Sequence, residues 1–390
     1  MTEAAKTYDI CIVGAGPAGS ATAIRLASAG FTVLLVEQKK FPRQKLCGEF
    51  ISPECLNHFK DLGVLNDMSA AGGVDLRETV FYARNGKSIA VESEWLGSTD
   101  SMALGLSRAE MDEKLLQRAR EVGVEVREET AASGLLFESE RVKGIKLKDK
   151  SGLETEVLSK LTIDATGRTQ VLARRVDKSP EHRKRASHVA FKAHLRGANI
   201  APATCEIFAY RGGYGGCNRI ENDLYNLCFI ASAENTRALN SDPDRVMREI
   251  VFTNKRAAET MENATVTSEW LAVPIERFGR GELVPAEGLF TVGDAAAFID
   301  PFTGSGILLA LESSKIAADA IMNNADLDRL AAEYRRNYAA TFDARLRVCS
   351  MLRYAAFVPF LADATISVLS LSGGLRRRVA RATRFTARRA

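Results

Sequence analysis

Two glycine-rich loops carry most of the chemical information in this 390-residue chain. The first is Gly14-Ala15-Gly16-Pro17-Ala18-Gly19, set between the apolar run Tyr8–Val13 and an Ala-rich helical stretch. The second is Gly293-Asp294, followed by Pro301-Phe302-Thr303-Gly304-Ser305-Gly306. In the first loop, Gly14 permits a tight turn, Gly16 lets backbone approach a pyrophosphate, and Gly19 lets helix and strand pack closely. Pro17 and Ala18 open a helix whose free N–H groups and partial positive charge suit phosphates. Glu37 closes the next strand, Phe31–Glu37, where an acid accepts hydrogen bonds from an adenosine ribose and disfavours a 2′-phosphate. In the second loop, Asp294 follows the buried strand Leu289–Val292, at the strand end where α/β sheets place ligands. Its carboxylate suits ribityl hydroxyls, and the glycines let a flat ring approach backbone. The helix from Ile307 to Asn323 then stabilises negative charge on that ring. The two loops together predict an FAD site.

The elements that must position them follow from periodicity. A helix is expected from about Pro17 to Ala29, stopped by Gly30. Ser107-Arg108-Ala109-Glu110 forms a capping box, in which Ser107 and Glu110 satisfy each other's amides. Met111, Leu115, Leu116, Ala119 and Val122 line the apolar face of that helix, and Gly123 ends it. Arg108 lies in its first turn, against the helix dipole. Such a placement suggests either an external anionic or carbonyl partner or a surface salt bridge. A hairpin is expected from Ala132 to Leu158, then a separate buried strand, Leu161–Asp164, ending in Ala165-Thr166-Gly167-Arg168. Thr79–Tyr82, His188–Phe191, Glu206–Tyr210 and Leu227–Ile230 read as strands of a second, antiparallel lobe. Gly212–Gly216 reads as a turn around Tyr214. After Arg345 a greasy helical segment is broken at Pro359 and Gly373-Gly374. Packing on the second lobe and dipping into a membrane interface are both open for it.

Composition sets the limits. Apolar residues make up 46% and charged residues 26%, as in globular proteins. No apolar run is long enough to span a bilayer. The N-terminus runs directly into the first strand and leaves no room for a signal peptide. Seven cysteines without a Cys-x-x-Cys pair fit reduced thiols and a cytoplasmic location. Four histidines, none at ligand spacing, argue against a metal site. Arg376, Arg377, Arg378, Arg381, Arg384, Arg388 and Arg389 crowd the C-terminus. Removing their seven charges from the net +4 leaves −3, a mildly acidic body with a basic tail. A solvated tail and peripheral contact with anionic lipid are the two readings left open. Nucleic-acid binding has no support, because basic and aromatic residues do not interleave.

Taken in order, these motifs resemble the FAD-dependent family of para-hydroxybenzoate-type hydroxylases, flavin halogenases and geranylgeranyl reductases. The chain looks most like the geranylgeranyl reductase-related branch, through Phe41-Pro42-Arg43-Gln44-Lys45-Leu46-Cys47-Gly48, Gly212–Gly216 and Asp300–Gly304. It departs from the hydroxylases at Thr166-Gly167, where they carry Asp-Gly. The halogenase Trp-x-Trp segment is reduced to Trp270-Leu271-Ala272. Glu49-Phe50 follow Cys47-Gly48, where the reductases carry small residues.

The resemblance implies a discontinuous Rossmann-like FAD-binding domain (1–75, 100–180 and 280–345). An inserted antiparallel β-sheet substrate domain (76–99 and 181–279) and a helical C-terminal segment (346–390) complete the α/β fold. It implies that Glu37, Arg43, Arg108, Gly293, Asp294 and Pro301 bind FAD, and that Gly304, Ser305 and Gly306 face the ring. Cys47 is placed near the substrate pocket, with Glu49 as either a proton relay or a wall residue, and Cys47, Glu49 or a bound water would supply the proton. Tyr214, Trp270 and Phe302 are expected to line the pocket. The reaction implied is reduction of a carbon–carbon double bond in a hydrophobic small molecule. The alternative is hydroxylation of a phenol, quinone precursor or polyketide through a C4a-hydroperoxide. A second dinucleotide loop is missing, so electrons would come from transiently docked NAD(P)H or from a ferredoxin-like protein.

Overall fold

β1 (Thr7–Val13) runs into the first glycine loop, α1 (Pro17–Ser28) follows, and β2 (Val33–Val36) returns parallel to β1. Pro17 starts the helix at no cost, because first-turn amides lack intrahelical partners. The computed structural model describes residues 6–97, 102–177, 186–275, 279–298, 304–357 and 359–382, apart from the side chains of 352–357, 359–360 and 362–363.

A first excursion comprises β3 (Phe50–Ile51), α2 (Pro53–Leu62), α3 (Leu65–Ala70), β4 (Val74–Leu76), β5 (Glu78–Tyr82) and β6 (Ser88–Glu92). The chain returns through β7 (Ala103–Gly105) to α4 (Arg108–Glu121), then β8 (Glu125–Arg127), β9 (Thr130–Glu138), β10 (Arg141–Asp149), β11 (Glu154–Asp164) and α5 (Ala173–Val176). The first sheet has the order β8-β2-β1-β11-β10-β9.

The hairpin and the buried strand expected separately are one strand. The outer half of β11 pairs antiparallel with β10, and its inner half pairs parallel with β1. Its burial changes from alternating to continuous at Leu161, where the strand leaves the exposed sheet for a position covered on both faces.

A second excursion supplies β12 (His188–Arg196), β13 (Thr204–Tyr210), β14 (Gly213–Arg219) and β15 (Tyr225–Ser232). Next come α6 (Ala233–Ala238), α7 (Pro243–Glu249), α8 (Lys255–Met261), β16 (Thr265–Val266) and β17 (Leu271–Ile275). These join β5 and β6 in the order β16-β12-β15-β14-β13-β5-β6, with β17 on β12. The sheet is antiparallel except between β5 and β13, where strands from the two excursions meet in parallel. The glycine run expected as a turn is mostly strand. Only Arg211-Gly212 turns, with Gly212 at φ 78°, and Gly213–Gly216 belong to β14. A Cβ on Gly213 would sit 1.9 Å from the Ile230 carbonyl oxygen, so close strand approach excludes side chains there.

β18 (Gly279–Arg280), β19 (Leu289–Thr291) and β20 (Ala297–Phe298) lead to α9 (Gly306–Asn323) and the long α10 (Leu327–Phe357). β19 extends the first sheet beside β11. Tyr334, Tyr338 and Phe342 follow one another along α10, the first two edge-on at 5.9 Å and the last two tilted at 4.3 Å, and the Tyr334 hydroxyl donates to the Thr291 carbonyl at 2.6 Å. α11 (Pro359–Ser370) and α12 (Gly373–Ala382) complete the described chain. Ile366 and Leu369 of α11 pack against Ala83 and Ile89 of the second lobe. Arg376, Arg377, Arg378 and Arg381 lie on α12, whereas Arg384, Arg388 and Arg389 lie outside the described residues. Among the described residues, no helix is long and apolar enough to cross a membrane.

Candidate active site and cofactor cradle

The two distant glycine loops are in contact. A Cβ on Gly293, which has φ 62°, would lie 2.7 Å from Cβ of Ala18. The Gly293 amide donates to Ser313 Oγ of α9 at 2.9 Å, which fixes the second loop on the helix behind it. The first residues of α1 and of α9 border the same cavity, and each helix N-terminus there presents backbone partial charges that favour an anion.

Above the first loop stand two cations. A Cβ on Gly16 would have Arg108 Nη2 at 3.8 Å and Arg43 Nη2 at 3.9 Å as its nearest neighbours. Both guanidiniums are held by the fully buried Asp112. Arg108 donates to it through Nε at 2.8 Å and Nη2 at 2.7 Å, and Arg43 through Nη1 at 3.1 Å. The pair is buried, not the surface salt bridge that was one reading of Arg108. Arg43 Nη2 also meets Glu37 at 3.4 Å, so two carboxylates hold the two guanidiniums in place at the loop, where their remaining N–H groups suit a pyrophosphate. The capping box is only half formed. Ser107 Oγ accepts the Glu110 amide at 3.2 Å, but the Ser107 amide donates to Glu221 of the second lobe at 2.9 Å. That bond ties the cradle helix to the other sheet.

Glu37 is buried at the end of the second strand. It accepts hydrogen bonds from the Ala15 amide at 3.1 Å and the Lys39 amide at 3.0 Å, so its carboxylate is oriented and has lone pairs to spare. Asp294 accepts no hydrogen bond among the described residues, although it lines the cavity. Burial raises its carboxyl pKa, against the pull of Arg168, Arg108 and Lys45. An unpartnered carboxyl of this kind calls for hydroxyl donors, and a sugar-alcohol chain supplies them. Gly304 has φ 60°, and a Cβ there would meet Phe50 at 3.0 Å. Ser305 is buried, and Gly306 opens α9 with free space around it. Pro301 and Phe302 lie outside the described residues. These features fit FAD, with Glu37 at the ribose, Arg43 and Arg108 at the pyrophosphate and Asp294 at the ribityl chain.

The cradle opens into one cavity of about 1590 Å³ that continues beneath the second sheet. Tyr214, buried on β14, lines it. Trp270 does not, contrary to expectation. It precedes β17 and points into the second-lobe core, edge-on to Phe229 at 5.7 Å, with its indole N–H donated to Asp244 at 3.3 Å. Cys47 and Glu49 both line the cavity. Glu49 is fully buried at φ 51°, and every charge on it is answered. Its Oε1 accepts from the Arg108 amide at 2.8 Å and from Lys192 Nζ at 2.5 Å, and its Oε2 pairs with His194 Nε2 at 2.7 Å. Burial alone would raise its pKa, but the His194 hydrogen bond and the Lys192 charge outweigh it, and the carboxyl lies below its ordinary value. The Glu49 amide donates to Cys47 Sγ at 3.4 Å, and the Arg108 guanidinium also acts on that sulfur. Burial pushes the neighbouring Cys228 thiol up to about 12, so it stays neutral.

Asp112, Glu221, Lys192 and His194 were missed in the sequence. Lys192 and His194 were legible in principle. They sit two apart among the apolar residues Val189–Phe191, Ala193 and Leu195 of β12, so they share one buried face, where charge demands a partner.

Comparison with known proteins places this geometry. The family model described as FAD binding domain matches residues 7–322. A digeranylgeranylglycerophospholipid reductase of Methanosarcina acetivorans is 29% identical over 345 residues, which cover 86% of this chain and 81% of the relative. A menaquinone reductase of Mycobacterium tuberculosis is 28% identical over 382 residues, covering 93% of this chain and 88% of the relative. Among solved structures, the flavin-dependent brominase Bmp2 superposes with a TM-score of 0.80 at 23% identity, over 97% of this chain and 93% of the brominase. That last likeness concerns the fold alone.

Proposed function

We propose, since the chain belongs to the FAD binding domain family, that it is an FAD-dependent oxidoreductase reducing a carbon–carbon double bond in an isoprenoid-type lipid. The observation that carries this reading is the continuity of the cavity. Phosphate cradle and apolar arm share one space of about 1590 Å³, larger than the roughly 300–1,000 Å³ typical of small-molecule sites. The arm is walled by Phe81, Ile89, Ile207, Ile366, Leu369 and Val379, which suit a long hydrocarbon chain and exclude water. Two curated relatives named as reductases of lipid-like molecules support the same reading.

FAD, when bound and reduced, supplies the hydride equivalent. The chain's own residues supply binding, orientation and the proton. Cys47 is the proton donor at the pocket. The Glu49 amide, which donates to its sulfur, fixes its position in the cavity wall. Glu49 is held as a carboxylate by Lys192 and His194 and acts as a positioning residue. It fixes the Cys47 loop to α4 through the Arg108 amide and to β12 through the two basic side chains. Electrons arrive from NAD(P)H or a ferredoxin-like protein, which docks transiently. The exposed arginines Arg377, Arg378 and Arg381 of α12, with exposed Leu371 and Leu375 beside them, rest on an anionic lipid surface.

The experiment is an anaerobic incubation of chemically reduced enzyme with geranylgeraniol in heavy water. A product carrying two solvent-derived deuterium atoms across the former double bond is expected, because the transferable hydrogen of the reduced flavin exchanges with solvent as the donated proton does. A product formed only in air and carrying an oxygen atom from O2 would make the protein a monooxygenase instead.

A further inference from the structure

Two buried asparagines face the Cys47 loop with half of each amide unused. Asn218 of β14 and Asn226 of β15 are paired directly across the two strands, so their side chains share one face of the second sheet. Asn226 is fully buried and Asn218 nearly so. Asn226 Nδ2 donates to the Cys47 carbonyl at 3.2 Å. Asn218 Nδ2 donates to the carbonyls of Glu49, at 3.4 Å, and Arg219, at 3.3 Å. Those carbonyls fix how both amides are turned, because a side-chain oxygen in the same place would meet another oxygen. Among the described residues neither Oδ1 accepts a hydrogen bond, and that of Asn226 is sealed from solvent. Neighbouring acceptors left without donors are costly inside a protein, and so call for a donor. Number, size and charge set which donor fits. A substrate hydroxyl carries one hydrogen for two oxygens. An ammonium would add a cation to a sheet face that already carries Lys192. A water molecule is neutral, brings two hydrogens and needs the least space. Asn218 lines the cavity, so the pair lies where the wall meets open space. Cys228 follows Asn226 by two positions on the same face of β15, and the Cys47 sulfur acts on its thiol. One strand thus flanks Cys47 with both side chains.

We propose that Asn218 and Asn226 hold one water molecule in the cavity wall beside the Cys47 loop, and that this water returns a proton to the thiol. The inference rests on the reading of Cys47 as proton donor and deepens it. Once Cys47 has given up its proton, the thiolate must regain one before the next turnover. A proton arriving from solvent gives the water a third hydrogen. Two hydrogens stay on the asparagine oxygens and the third passes to the sulfur, so water and thiol are both restored. The amide oxygens turn their negative ends to the water and favour the cationic moment of that transfer. Both asparagines are positioning residues, because they act through the water alone.

The site is tested by high-resolution diffraction from the FAD-loaded protein. A water within about 2.7–3.2 Å of both Oδ1 atoms is expected. Clear density without that water, or with a protein donor in its place, would overturn the proposal. The role is tested by following successive turnovers of geranylgeraniol under argon, with reduced methyl viologen as the electron source. Asn218→Leu keeps the Asn226 bond to the Cys47 carbonyl, so the loop stays in place. Its first turnover spends the proton already on Cys47 and should run close to the native rate. Later turnovers should slow about a hundredfold, the share of a general acid. Asn226→Leu should show the same split between first and later turnovers. Equal slowing of all turnovers in both variants would make the asparagines structural and overturn the relay, as would native rates throughout. If the native protein does not reduce geranylgeraniol even once, the reduction reading falls and takes the relay with it. The diffraction result then decides the water site by itself.

Discussion

Lys192 of β12 and Glu49, which follows the Cys47-Gly48 pair, meet at 2.5 Å with both side chains withdrawn from solvent. This bond, with the His194 contact on the other carboxylate oxygen, joins the second sheet to the loop that carries Cys47. Removing one member of a buried pair strands the other charge, at a cost of about 3–5 kcal/mol. His194 stays in place, so Lys192→Met should lose about 3 kcal/mol in chemical denaturation, the low end of that range. The pH dependence has a definite sign. The folded Glu49 pKa is depressed below the ordinary 4.5, so its stabilisation is present above that value and fades as pH falls through the folded pKa. Glu49→Gln should therefore flatten the acid limb of the stability profile, measured by melting temperature against pH. An unchanged acid limb would remove Glu49 from the account.

The glycine loop separates two kinds of glycine requirement. A Cβ on Gly19 would stand 1.9 Å from the Gly14 carbonyl oxygen, so Gly19→Ala should disrupt packing of α1 on β1 and lower the melting temperature. A Cβ on Gly16 meets nothing closer than the two guanidiniums at 3.8 and 3.9 Å. Gly16→Ala should leave the apoprotein as stable as the native one. FAD affinity should drop about tenfold to a hundredfold, as for loss of one charge-assisted hydrogen bond, measured by quenching of flavin fluorescence.

Cys47 lines the cavity and touches both the Glu49 amide and the Arg108 charge, whereas Cys228 nearby is a thiol held neutral. Cys47→Ala should reduce kcat by about a hundredfold or more, the usual share of a general acid, with normal flavin content. Single-turnover reoxidation of the flavin by geranylgeraniol under argon checks this. A rate equal to the native one would assign the proton to water.

The three exposed arginines of α12 each contribute about 1 kcal/mol near an anionic surface. Replacing Arg377, Arg378 and Arg381 together with glutamate should reduce binding to phosphatidylglycerol-containing vesicles at least about a hundredfold in co-sedimentation. Pure phosphatidylcholine vesicles should bind neither form. Equal sedimentation of native and substituted protein with the anionic vesicles would confine this helix to packing.

Much of the cradle was legible in the sequence, because turn and helix-start chemistry is local. Gly19 packs on the Gly14 carbonyl five residues away and Glu37 reaches the Ala15 amide within one strand–helix–strand unit, whereas Gly14 is confined by the distant Ala165 carbonyl. What could not be read was the pairing across lobes. Asp112 lies four residues from Arg108, a readable helical spacing, but that it also holds Arg43 depends on how the 43–50 loop folds back. Glu49 acquires Lys192 and His194 only through the three-dimensional path of β12. The reverse error occurred at Gly213–Gly216, where a glycine run signalled a turn but close strand approach was the cause. Trp270 failed for a similar reason. Aromatic residues suit a pocket or a core equally, and Trp270, just before β17, packs into the second-lobe core against Phe229.

The most direct measurement mixes fully reduced, FAD-loaded protein with geranylgeraniol in the absence of oxygen and follows the yellow flavin absorbance. The account predicts that the colour returns in a single exponential, with one saturated bond formed per flavin reoxidised. If the protein stays bleached until air is admitted, and the isoprenoid is recovered unchanged, the central claim is contradicted.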